Sequence, residues 1–133
     1  MAGGPASLYL DGSALVKLVR SESESSALQA ELVRWPGLLT SVMGELELLR
    51  VLKREGLDPT LAEPVLDLLG LVAFDEQVRR EAGRVGSPLL RTLDAIHLAT
   101  ALSLGADQGG FACYDLRLAA EAEAAGLTLV APG

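Results

Sequence analysis

Hydrophobic and polar positions along this chain fall into two alternating rhythms. Short apolar runs, most of them closed by an acid or a serine, predict strands at Ser7–Leu10, Leu38–Thr40, Leu71–Phe74, Gly109–Tyr114 and Leu127–Val130. Between them, apolar residues recurring every three or four positions predict helices over Ser13–Arg20, Ser23–Trp35, Ser41–Arg54, Thr60–Leu69, Asp75 to Gly86, Leu90–Leu104 and Asp115–Ala125. Local chemistry agrees with several of these ends. Pro36 and Gly37 close the second helix, the Ser41 hydroxyl caps the third, and Gly56 stops it. Pro64 is tolerable only near the first turn of the fourth. Strands that alternate with helices imply a single α/β domain over residues 1–133: a three-layer α/β/α sandwich around a mostly parallel sheet. In such sheets ligands bind beyond the carboxyl ends of the strands, where strand order reverses.

Composition narrows this picture. Half of the 133 residues are apolar but only 4% are aromatic, so the core is built from Leu, Val and Ala. A net charge of −7 and a pI near 4.6 argue against a broad basic nucleic-acid surface. Any polyanion must therefore be held locally, by a metal or a few arginines. One cysteine, Cys113, excludes an internal disulfide and fits a reducing compartment. No apolar run approaches the roughly 18 residues of a membrane span. Met1–Pro5 also lacks the basic start and apolar stretch of a signal peptide, so a cytoplasmic protein without a membrane partner is expected. A mean hydropathy of +0.34 is high for a lone small domain and points to apolar surface buried against another chain.

The candidate chemistry centres on LRTLDAIHLATALSL, residues 90–104, a helix apolar around most of its circumference that nevertheless carries Asp94 and His97 one turn apart. Asp11 follows the first strand and Asp115 the fourth. Each acid alone reads as a helix cap. Together they fall on the one sheet edge where α/β proteins place their chemistry. Carboxylates gathered there repel one another unless a divalent cation neutralises them, and hard oxygen ligands suit Mg²⁺ or Mn²⁺. Such a site works on phosphate esters.

Glu45 and Glu47, two residues apart on the third helix, point in different directions, so one of them can join. Glu47 lies near Met43, Arg50 and Arg54, and a surface ion pair with Arg50 is its plainer role. His97, the only histidine, is read as a hydrogen-bonded helix residue rather than a ligand or base. Ser13 either caps the first helix or holds an acid or water. Cys113 is a small buried residue of strand four, and Arg79, Arg80 and Arg84 form a solvated helix face. There is no Walker A loop, no dinucleotide glycine fingerprint and no zinc spacing. A receiver-type phospho-acceptor domain needs a pair of acids after strand one and a lysine after the last strand, whereas here Gly12 follows Asp11 and the chain ends VAPG.

The blocks YLDGSALVKL, TSVMGELELLRVLKR, LRTLDAIHLATAL and CYDLRLAAEAEAAGL span nearly the whole chain. In content and order they resemble a PIN domain, specifically the VapC toxins of bacterial VapBC toxin–antitoxin systems. The resemblance implies a metal-dependent endoribonuclease in which four acids bind Mg²⁺ or Mn²⁺. Asp11, Asp94 and Asp115 match the first, third and fourth, and the family's Glu, six residues after a strand-end Ser, matches Glu47 after Ser41. It also implies a homodimer and a VapB-like antitoxin that blocks the site. Ser13 and His97 are supporting candidates, and Arg50 and Arg54 are candidates for RNA or antitoxin contact. Two positions depart from the family pattern: Gly12 where Thr or Ser often follows the first Asp, and Cys113 where a Thr often stands two residues before the last. Neither removes a metal ligand. The alternative reading is a PIN-fold binding or regulatory module that acts through its partner with its acids idle.

Overall fold

A computed structural model describes residues 6–133; the reading of Met1–Pro5 lies outside the described residues. The elements run β1 (Ser7–Leu10), α1 (Gly12–Val19), α2 (Ser25–Leu32), β2 (Gly37–Ser41), α3 (Val42–Arg54), α4 (Glu63–Leu66), β3 (Gly70–Val72), α5 (Glu76–Ala82), α6 (Thr92–Ser103), β4 (Gln108–Ala112), α7 (Leu116–Ala124) and β5 (Leu129–Val130). All strand pairs are parallel, in the order β3-β2-β1-β4-β5.

That order follows from how β1 is built. Leu8, Tyr9 and Leu10 are all fully buried, as a central parallel strand requires, and they alternate between the two faces. Leu8 and Leu10 join Leu15, Leu28, Leu48 and Leu52 on one side, where α1, α2 and α3 pack. Tyr9 joins Leu98, Phe111, Leu118 and Ala122 on the other, under α6 and α7. The three-layer expectation is borne out. The chain leaves β1 for β2 and β3, then returns to β4 on β1's opposite side, so strand order reverses between β1 and β4.

Several expected boundaries are corrected. The helix expected over residues 60–69 is a 3-10 turn, Pro59–Ala62, followed by the single-turn α4. Pro64 has no N–H with which to bond the Thr60 carbonyl, so one continuous helix cannot form there. The strand expected at 71–74 ends at Val72, because its partner β2 ends at Ser41, opposite Val72. The last strand begins at Leu129 rather than Leu127 and pairs with Phe111 and Ala112 of β4. α5 stops before Gly83 rather than at Gly86. α2 begins at Ser25, whose hydroxyl accepts from Glu22 N–H and closes a turn ahead of the helix.

Candidate active site

Three acids stand at the carboxyl edge of the sheet. Asp11 ends β1 and is only 3% exposed. Its Oδ1 accepts from Ala14 N–H at 2.9 Å, capping α1, and from the Ser13 hydroxyl at 2.7 Å. Ser13 Oγ in turn accepts from Tyr114 N–H at 2.9 Å, which ties the β1 edge to the β4 edge. Ser13 thus holds the acid, and Asp11 itself is the cap. Asp115 follows β4 and caps α7 through Oδ1, which accepts from Arg117 and Leu118 N–H. In both residues the capping bonds use Oδ1 and leave Oδ2 out. Cap and ligand are therefore compatible roles for Asp11 and Asp115.

Asp94 differs. It lies in the first turn of α6, whose cap position is Arg91 and carries no side-chain capping bond. The capping role open to Asp94 from sequence is not the one it plays. Burial lifts its carboxyl above the ordinary carboxylate value, and Asp115 and Asp11 push the same way against the opposing pull of Arg91. Burial likewise raises Asp11, opposed by the bonds from Ser13 and Ala14. Asp94 thus feels the charge of both other acids, although among the described residues no three close into a ready-made cation cage.

Glu47 arrives from α3. Its Oε1 lies 2.8 Å from Nε2 of His97, and a Cβ built on Gly12 would land on its carboxylate. The ion pair with Arg50 expected as its plainer role does not form: among the described residues Glu47 pairs with His97. Glu45 makes no hydrogen bond or ion pair among the described residues. Arg50 and Arg54 lie beside Glu47 on a shallow groove that Met43, Leu46 and Leu93 also line. His97 is buried at 1% exposure, and its Nδ1 is 2.7 Å from the Tyr9 hydroxyl. Cys113 lies just past the end of β4 rather than within it, buried, with its thiol donating toward the Asp115 carbonyl at 3.4 Å. Burial and the Asp11 charge push that thiol up, so it is not a ready nucleophile.

Sequence reasoning missed Tyr9, Arg91 and Arg117. Tyr9 is the one residue of β1 with a polar tip on a buried side, a signal available in the sequence. Arg91 and Arg117 line a cavity of about 480 Å³ with Leu90, Asp94 and Glu121. Their signal was spacing, three residues before Asp94 and two after Asp115. Arg79 and Arg80 are exposed on α5, with Arg80 on Glu76, whereas Arg84, expected on the same helix face, lies past the helix end and pairs with Glu81.

Comparison with known proteins shows the family. The PIN domain family model matches residues 8–120. The chain belongs to the PIN-domain family. Ribonuclease VapC35 of Mycobacterium tuberculosis is 42% identical over 134 residues, covering 95% of this chain and 97% of that protein. The crystal structure of M. tuberculosis VapC20, described as a sarcin-ricin loop cleaving toxin, superposes at TM-score 0.74 with 16% identity over 94% of this chain and 99% of that one. VapBC2 of Rickettsia felis, bound to a promoter DNA fragment, superposes at 0.72 with 12% identity over 96% and 99%. The PIN resemblance carried by the four motifs is borne out, and the two structures agree with the PIN fold.

Proposed function

We propose that this PIN domain is the ribonuclease toxin of a VapBC pair, cleaving RNA phosphodiesters with Mg²⁺ or Mn²⁺ held by Asp11, Glu47, Asp94 and Asp115. The kinship to VapC ribonucleases supports the toxin nuclease. Asp11 carries the metal reading: it is a buried acid with which, among the described residues, no Lys or Arg pairs. Buried carboxylates persist when they are paired or hold a metal. The donor set fits a hard divalent ion, because Mg²⁺ commonly binds through one or two carboxylates and keeps several waters rather than needing a full protein cage. When bound, such an ion supplies Lewis acidity toward a phosphoryl oxygen and lowers the pKa of a water.

The chain's own residues do the rest. Ser13 fixes the Asp11 carboxylate, and Asp94 brings a second acid whose raised pKa falls back once positive charge enters. Arg91 and Arg117 offer guanidinium groups to the flanking phosphates, as an acidic protein requires at its one site for a polyanion. Exposed Val33, Leu68, Leu89 and Leu116 supply apolar surface for a VapB-like antitoxin and a second copy of the chain. Residues 1–133 then act as one domain in the cytoplasm; among the described residues no helix is long and apolar enough to cross a membrane.

Incubation of the purified protein with total RNA, with and without Mg²⁺ or Mn²⁺, tests the reading. Divalent-dependent cleavage is expected. Cleavage that persists in excess EDTA overturns the metal mechanism, and none under any divalent ion favours a binding module instead.

A further inference from the structure

We propose that His97 is a positioning residue that aims the Glu47 carboxylate at the Asp11 edge, and that Tyr9 sets its tautomer. The inference rests on the reading of Glu47 as a metal ligand. A chain of donors fixes the direction of each bond. Ser41 N–H donates to the Tyr9 hydroxyl oxygen at 3.2 Å. Glu47, as a carboxylate, only accepts, so the proton on the imidazole sits on Nε2 and points at Oε1 over 2.8 Å. In the neutral ring Nδ1 is then an acceptor, and the Tyr9 hydroxyl donates to it at 2.7 Å. Tyr9 cannot swing away, because it is fully buried and its ring stacks on Phe111 with centroids 5.6 Å apart.

Space around this chain is cut to fit it. A Cβ on Gly44 would lie 3.2 Å from His97 Cε1 and would collide with the Thr40 hydroxyl, so glycine admits the imidazole between α3 and α6. A Cβ on Gly12 would occupy the place of the Glu47 carboxylate. Gly12, a departure from the family pattern, is thereby explained: the backbone after Asp11 is bare because a carboxylate delivered from α3 rests against it. Glu47 is held from two sides, by an empty position on α1 and by a histidine on α6 that is tied to β1. A side chain on the surface of α3 would otherwise sample several rotamers.

Substitutions at position 97 separate positioning from space-filling. In H97Q the amide nitrogen reaches the place of Nε2 and can donate to Glu47. In H97N the amide reaches only the place of Nδ1 and can satisfy Tyr9 alone. Mn²⁺ affinity, read by titration calorimetry with the metal alone, is expected to fall about 10- to 100-fold in H97N and to recover largely in H97Q. Cleavage of RNA should follow the same order. In an E47Q background, H97N should cost no further Mn²⁺ affinity, because His97 acts only through Glu47. The proposal is overturned if H97N binds Mn²⁺ like wild type, if H97N outperforms H97Q, or if the two losses in the double variant simply add. A wild type that binds no Mn²⁺ removes the metal reading and this proposal together, whereas a wild type that binds with H97N unimpaired removes this proposal alone. Y9F keeps the ring on Phe111 and lacks the hydroxyl, so a folded Y9F with weakened Mn²⁺ binding supports the relay, and one with unchanged binding overturns the part assigned to Tyr9.

Discussion

Gly12 and Glu47 show how a single missing side chain sets a site. The Glu47 carboxylate rests where a Cβ of residue 12 would be, so Gly12→Ala must displace either the carboxylate or the start of α1. The expected result is about a tenfold or greater loss of divalent-dependent cleavage, measured alongside the metal-free melting curve to show that the fold survives. Two residues away, Glu45 faces neither Gly12 nor His97. Glu47→Gln should therefore abolish metal-dependent cleavage, and Glu45→Gln should leave most of it. Equal losses would mean that helix α3 as a whole, rather than one face of it, serves the site.

At the scale of elements, the helix starts at the sheet edge divide by what their acids do. Asp75 caps α5 through a bond from Val78 N–H and follows β3, two strands away from β1 in the sheet, so Asp75→Ala should cost about 1 kcal/mol of stability and no cleavage. Asp94 caps nothing and is pushed up by burial and by Asp115. Asp94→Asn should therefore unfold later than wild type in metal-free denaturant titrations, by something on the order of 1 kcal/mol, while losing activity and most of its stabilisation by Mn²⁺. An Asp94→Asn protein less stable than wild type without metal would show that repulsion is not the dominant force on this acid.

Over the whole molecule, the raised acids give stability a definite slope with pH. Asp11 and Asp94 both have folded-state values above the ordinary 3.8. The folded protein then binds more protons than the unfolded chain between the ordinary and raised values, so the stabilisation is complete below the ordinary value and is lost as pH rises through the raised ones. Glu22, Glu24 and Asp58 are held below their ordinary values by Lys17, Arg20 and the Thr60 bonds and pull the other way, so the contribution of the raised acids is read by difference: without metal, wild type should lose stability relative to Asp11→Asn as pH climbs out of the carboxylate range. Saturating Mn²⁺ should offset that relative loss. The net charge of −7 adds an expectation about RNA, since binding must rest on few cations. Alanine at Arg91 and Arg117 should weaken RNA binding and lower its salt dependence more than alanine at Arg50 and Arg54, which stand on a separate groove beside Glu47.

What the sequence determined by itself was the layer order and the placing of Asp11 and Asp115 just past the ends of β1 and β4. Apolar strands alternating with amphipathic helices leave few arrangements other than a covered parallel sheet, and an acid directly after a strand must stand at that strand's carboxyl edge. Only the tertiary structure decided the rest. The end of β3 depends on where its neighbour β2 stops, and residues 60–69 break because Pro64 cannot donate to Thr60. Whether an acid caps, repels or is held depends on groups far away in sequence: Tyr9 lies 88 residues from the histidine it orients, and that histidine 50 from the glutamate it meets. Periodicity records which way a side chain faces on its own element. It carries no record of which bare glycine or buried hydroxyl another element brings to meet it.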